Sequence, residues 1–192
     1  MDCTQGQASM RTKYVVVTLL ILVSFNAYAF FKLPLFGSPT DSALLVVEGE
    51  LYFKDMFGRV KRTPITAATV TRPKDNRSFK ISAHKGMVVF SKMEPGRYVL
   101  TEVNAQPGKK ELILQPALDL QNQYAVEVKP GAIGYFGKLD VEAELSLNRV
   151  GSTFSFQNND AIELNAVKTL QKKYKKSKWA KRFDERISEL SK

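Results

Sequence analysis

Residues 139–145 read Leu-Asp-Val-Glu-Ala-Glu-Leu, with apolar and acidic side chains in strict alternation. Side chains of an extended strand point to opposite faces at a period of two, so such a run sorts into one dry face and one wet face. Lys138 continues the wet face, and the run extends from Tyr135 to Leu147. The same period appears near the start of the body. There Leu45, Val47, Leu51 and Phe53 share one face, and Glu48, Glu50 and Tyr52 share the other. Shorter candidates lie at 66–71, 77–82, 87–91, 98–103, 111–115 and 124–128. Pro95-Gly96, Pro107-Gly108 and Pro130-Gly131 each follow a strand-like run. Proline presets φ for the second position of a type II turn, and glycine accepts the positive φ that comes next. About eight short strands with this punctuation predict an antiparallel β-sandwich over 44–157 rather than a βαβ fold.

The period then changes. Ile162, Ala166, Leu170 and Tyr174 recur at helical spacing, and so do Trp179, Phe183, Ile187 and Leu190. Asp160 followed by Glu163 has capping-box logic, and Ser177 is placed to cap a second segment. Residues 158–192 are therefore expected to form a basic amphipathic helix or a helical hairpin. Residues 161–192 hold ten Lys/Arg against four Asp/Glu, a net of +6 within a whole-chain charge of +10. Lys172, Lys173, Lys175, Lys176 and Lys178 fall within seven residues, with Lys181 and Arg182 close behind. Packed lysines of this kind suit an acidic partner.

The beginning of the chain indicates where that partner would be met. Arg11-Thr12-Lys13 precedes an uncharged run from Tyr14, and Ala27-Tyr28-Ala29 follows it. A basic patch, an apolar core and an Ala-x-Ala end are the parts of a secretory signal peptide over 1–29, with cleavage after Ala29. Tyr14 to Phe31 is also eighteen residues without charge, long enough for an uncleaved membrane anchor over 14–31. Either way the body lies outside the cytoplasm, by cleavage or by the positive-inside bias of Arg11 and Lys13. Translation could begin at Met1 or at Met10. Residues 30–43, with Pro34, Gly37, Ser38 and Pro39, read as a linker. The one cysteine, Cys3, precedes the apolar run, so the body has no disulfide and no cysteine metal site.

One resemblance reaches beyond these patterns. Phe90-Ser-Lys-Met-Glu-Pro-Gly-Arg-Tyr-Val-Leu-Thr-Glu-Val103 resembles the hairpin of transthyretin-like, carboxypeptidase-regulatory-like envelope domains. Residues 126–141, around Pro130-Gly131, are similar to a strand-turn-strand of related envelope proteins. Together the two segments hold 30 residues of the body. The resemblance implies a seven- or eight-stranded sandwich that serves as a non-catalytic accessory or binding module, and it supplies no catalytic residues. The helical segment lies outside it.

Reactive constellations are sparse. His84, in Ser82-Ala83-His84-Lys85-Gly86, reads as a turn residue without a placed nucleophile or carboxylate. Asp140, Glu142 and Glu144 form a row that a Ca²⁺ ion could use only if further oxygens converged on it. Glu48 and Glu50 could in principle act as a glycosidase pair, but strand neighbours on one face are common. Gly131, Gly134 and Gly137 match no phosphate loop and suit turns and bulges. Of Tyr135 and Phe136, on opposite faces, one is expected in the core and one in solvent. No catalytic residue, metal or cofactor is assigned.

The reading from sequence is an exported, non-enzymatic envelope protein whose basic helix docks on an anionic membrane surface, a cell-surface polymer or an acidic protein. Nucleic acid is not an expected partner outside the cytoplasm. The alternatives are a membrane-anchored accessory subunit and an extracytoplasmic hydrolase.

Overall fold

The computed structural model describes residues 37–54, 57–109, 111–116, 123–145 and 150–192. The export segment with its cleavage site, and the linker up to Phe36, lie outside these residues. The chain is mainly β, followed by two helices. The strands are β1 (Ala43–Lys54), β2 (Val60–Arg72), β3 (Arg77–Ser82), β4 (Met87–Met93), β5 (Gly96–Ala105), β6 (Leu112–Leu114), β7 (Ala125–Val128), β8 (Ile133–Leu145) and β9 (Val150–Gln157). The helices are α1 (Asp160–Tyr174) and α2 (Ala180–Leu190).

The main path through the sheet is β6-β5-β2-β1-β8-β9, with β3 on β2, β4 on β1 and β7 on β5. β1 and β2 each divide one edge between two neighbours. β1 pairs with β4 through Ala43–Glu48 and with β2 through Glu50–Lys54. β2 then pairs with β3 through Ala67–Arg72 and with β5 on its other edge. The sheet thereby curls into a half-barrel. Here the fold departs from the expected antiparallel sandwich. β1 and β8 run parallel, in register from Leu44↔Ile133 to Phe53↔Ala143, so the sheet is mixed. Alternation reports which face a side chain takes, but not the direction of the neighbouring strand.

Strands are found at each expected place: β2, β4 and β5 are longer than expected, β3 has the expected limits, β6 and β7 are shorter, and β8 runs from 133 to 145. β9 lies outside the strands expected from alternation; Phe154 and Phe156 on it pack against the core from the edge. Gly108 and Gly131, at φ +87° and +74°, sit in the glycine region that a type II turn requires. Gly96, at φ +146°, instead opens β5 in a conformation open to glycine.

The concave face carries the main core. Leu45, Val47 and Leu51 from β1 meet Phe90 from β4, Leu100 and Val103 from β5, and Leu139 and Val141 from β8. A second core lies on the convex face. There Leu44, Val46 and Tyr135 are covered by Ala166, Val167 and Leu170 of α1 and by Trp179 and Phe183. That cover explains the unbroken run Ala43–Val47, which is buried on both faces. It also corrects the expectation for Tyr135 and Phe136, because both are buried, one in each core.

Candidate functional site

The two helices form the expected hairpin. Glu163 pairs with Arg186, and Gln171 with Asp184, so α2 folds back along α1. The N-cap of α1 is Asn159, one residue before the expected Asp160. Its Oδ1 accepts the Ile162 amide at 3.0 Å. Glu163 does not reach back to close a capping box. It is buried, and its Oε1 accepts from Arg186 Nε at 2.7 Å. Ser177 Oγ accepts the Trp179 amide at 3.2 Å, just before α2 begins. Both apolar stripes face the sheet: Ala166, Leu170, Trp179 and Phe183 are buried, and Ile162, Tyr174, Ile187 and Leu190 pack at the margin.

The stripe faces inward, so the lysines face outward. Lys172 and Lys173 occupy the last turn of α1, where cations complement the helix dipole. Lys175 is the C-cap, and Lys176 and Lys178 lie in the connection to α2. All five are exposed. Among the described residues no carboxylate lies within salt-bridge distance of any of them. Lys173 Nζ stands 5.2 Å from the centre of the Tyr174 ring. Lys181 and Arg182 differ, because Glu185 approaches them at 3.8 Å and 2.8 Å. Of the seven predicted residues, five have no carboxylate partner among the described residues and two are internally paired.

Trp179 fixes where this turn sits. Its indole is fully buried, and Nε1 donates to the Gly37 carbonyl at 2.9 Å. The lysine-rich turn is thus tied to the first described residue of the domain, beside the start of β1. Nothing in the sequence pattern signalled that contact, which joins residues 142 positions apart.

A second feature lies at the other end of the helices, where α1 begins. Polar side chains on the convex face form an open cleft of about 440 Å³ beside the first turns of α1. Its walls are Glu48 and Glu50 of β1, Lys138 of β8, Gln157 at the end of β9, Lys85 of the β3–β4 turn and Asn165 of α1. Glu48 Oε2 accepts from the Tyr135 hydroxyl at 3.0 Å. Burial pushes the Glu48 carboxyl above its ordinary range, against the opposing pull of that hydrogen bond and of Lys138. Burial, with Glu48 next to it, likewise holds the Tyr135 phenol in its neutral form. Glu50 accepts from the Tyr52 hydroxyl at 3.0 Å and faces Lys138 Nζ at 3.7 Å. Asp140 Oδ2 accepts from Gln157 Nε2 at 2.7 Å, while its buried Oδ1 has no partner among the described residues.

The remaining sequence candidates take plainer places. His84 is exposed and bridges to Met87 across the β3–β4 turn. Asp140 and Glu142 lie on the convex face, and the side chain of Glu144 is outside the described residues. Among the described residues no three Asp, Glu, His or Cys side chains converge as a metal site. No described helix is long and apolar enough to cross a membrane. Gly131 and Gly137 adopt positive φ at a turn and at a β8 irregularity, and Gly134 lets Val128 and Leu45 close over it.

Comparison with known proteins adds little to this. No family profile matches the chain. No curated protein matches it. Among solved structures, the chain is similar to a Pseudomonas aeruginosa protein provisionally described as a carbohydrate binding protein. The match has 12% identity, covers 57% of this chain and 99% of that one, and has a TM-score of 0.30, too low to support an argument about fold or function.

Proposed function

We propose that this protein is a non-enzymatic, extracytoplasmic binding domain whose lysine-rich helical turn docks on an anionic membrane surface. The hydrogen bond from Trp179 to Gly37 carries this reading, because it holds five exposed lysines beside the first described residue of the domain. Five residues lie between Phe31, the end of the uncharged run, and Gly37, a chain length that can reach at most about 22 Å. A chain that keeps Tyr14–Phe31 as an anchor would be tethered to the bilayer a short stretch of sequence before Gly37, the residue that Trp179 holds. A chain cleaved after Ala29 has the same cations free to bind such a surface reversibly. The apolar stripe is occupied by the sheet, so attachment relies on charge rather than insertion. Each lysine near an anionic surface contributes about 1 kcal/mol, and the contribution is screened by salt. The resemblance of residues 90–103 to transthyretin-like envelope modules agrees with a non-catalytic role.

The test is lysine footprinting of the full chain with vesicles of phosphatidylglycerol or phosphatidylcholine. Acetylation of Lys172, Lys173, Lys175, Lys176 and Lys178 should slow on the anionic vesicles alone, and recover as salt is raised. Equal reactivity on both lipids would refute the proposal.

A further inference from the structure

The cleft beside α1 is remote from the lysine turn, and its chemistry is different. Opposite charges line one concavity, and some of them lack partners. Glu48 has one carboxylate oxygen bound by Tyr135. Lys85 is exposed, and among the described residues no carboxylate lies within salt-bridge distance of it. Strand pairing brings the two into one neighbourhood. Glu48 is in register with Met87, and the Gly49 amide donates to the Gly86 carbonyl at 2.9 Å, so the β3–β4 turn stands beside Glu48. The Asn165 amide and the Gln157 carbonyl add neutral hydrogen-bonding groups on the far wall.

Lys85 occupies its place against its backbone preference. It has φ +53° and is followed by Gly86 at +78°. In a turn with two positive φ values the first position ordinarily goes to Asn, Asp or Gly. A lysine there presents an ammonium to the cleft at a conformational cost.

We propose that this cleft binds a small zwitterion, an amino acid or short peptide, with its ammonium on Glu48 and its carboxylate on Lys85. A cation alone would meet Lys85 and Lys138, and an anion alone would meet Glu48 and Glu50. A neutral polyol would leave both unpaired charges uncompensated. A ligand carrying both charges answers both walls, and a dipeptide falls within the size that such a cleft encloses.

The experiment is saturation-transfer NMR on the full chain, with L-alanyl-L-alanine as probe. N-acetyl-alanine, alanine amide and glucose serve as the anionic, cationic and neutral comparisons. The dipeptide should bind at least about tenfold more tightly than each of the three. Glu48→Gln keeps the acceptor for Tyr135, and Lys85→Asn suits the turn better than lysine does. Both variants should keep or raise the melting temperature while weakening dipeptide binding by about tenfold or more. No binding up to about 10 mM, equal binding of a singly charged analogue, preference for glucose, or unchanged binding in both variants would each overturn the proposal. Failure here would leave membrane docking untouched, because none of these residues belongs to the lysine turn.

Discussion

Two carboxyl groups in this fold respond to pH with opposite sign. Burial raises Glu48, so the native state binds its proton more readily than the unfolded chain does. Stability from this group is fullest below the unfolded value of about 4.3 and falls as pH rises through the folded one. Glu48→Gln should therefore raise the melting temperature at neutral pH, and the gain should vanish near pH 4. Asp75 behaves in reverse. Its hydrogen bonds from Arg72, in an ion pair that Glu94 joins on the other side, hold it down at about 2. Stability from Asp75 is present above about 3.9 and is lost as pH falls toward about 2. Asp75→Asn should lower the melting temperature at neutral pH, with the difference closing as the solution is acidified. Thermal melts across pH check both. The wet face of Glu48 was readable from alternation alone. Its partner Tyr135, 87 residues away across a parallel pairing, was not, because periodicity carries no information on which strands become neighbours.

At the scale of elements, the hairpin depends on Trp179. Truncating a fully buried indole costs about 3–5 kcal/mol, and Trp179→Ala also leaves the Gly37 carbonyl without its donor. Hydrogen exchange should show α1 and α2 opening together while the β1–β8 pairing stays protected. Opening of the whole sheet at the same rate would show that the two cores do not separate. Asn159→Ala removes the α1 cap and should lower stability by about 1 kcal/mol in denaturant melts, whereas Asp160→Ala should matter less. Helical spacing located both stripes, but the cap was expected one residue late, because Asn and Asp at 159 and 160 are equally good caps. β9 escaped notice because Phe154 and Phe156 are the only large apolar residues in its second half, among Ser, Thr and Gln. The unbroken apolar run Ala43–Val47 departs from the alternation read along β1, and the helices account for it by covering its second face.

At the scale of the whole molecule, charge is distributed unevenly. Residues 161–192 hold +6 of the whole-chain +10, and five of those cations stand together with no carboxylate among the described residues within salt-bridge distance. Their clustering was legible in sequence. Their position beside Gly37 was not, since it depends on one long-range contact of Trp179. Replacing all five with glutamine should leave the melting temperature nearly unchanged, because none contributes to a buried contact, and should abolish attachment that depends on anionic lipid. The central claim is that the helical turn docks by charge while its apolar stripe remains against the sheet. Trp179 is the sole tryptophan of the chain, so its fluorescence reports on that stripe alone. The most direct measurement is Trp179 emission on anionic vesicles containing lipids brominated along the acyl chain. Binding with unchanged, unquenched emission is the predicted result; quenching by the brominated chains would show the stripe inserted into the bilayer and would contradict it.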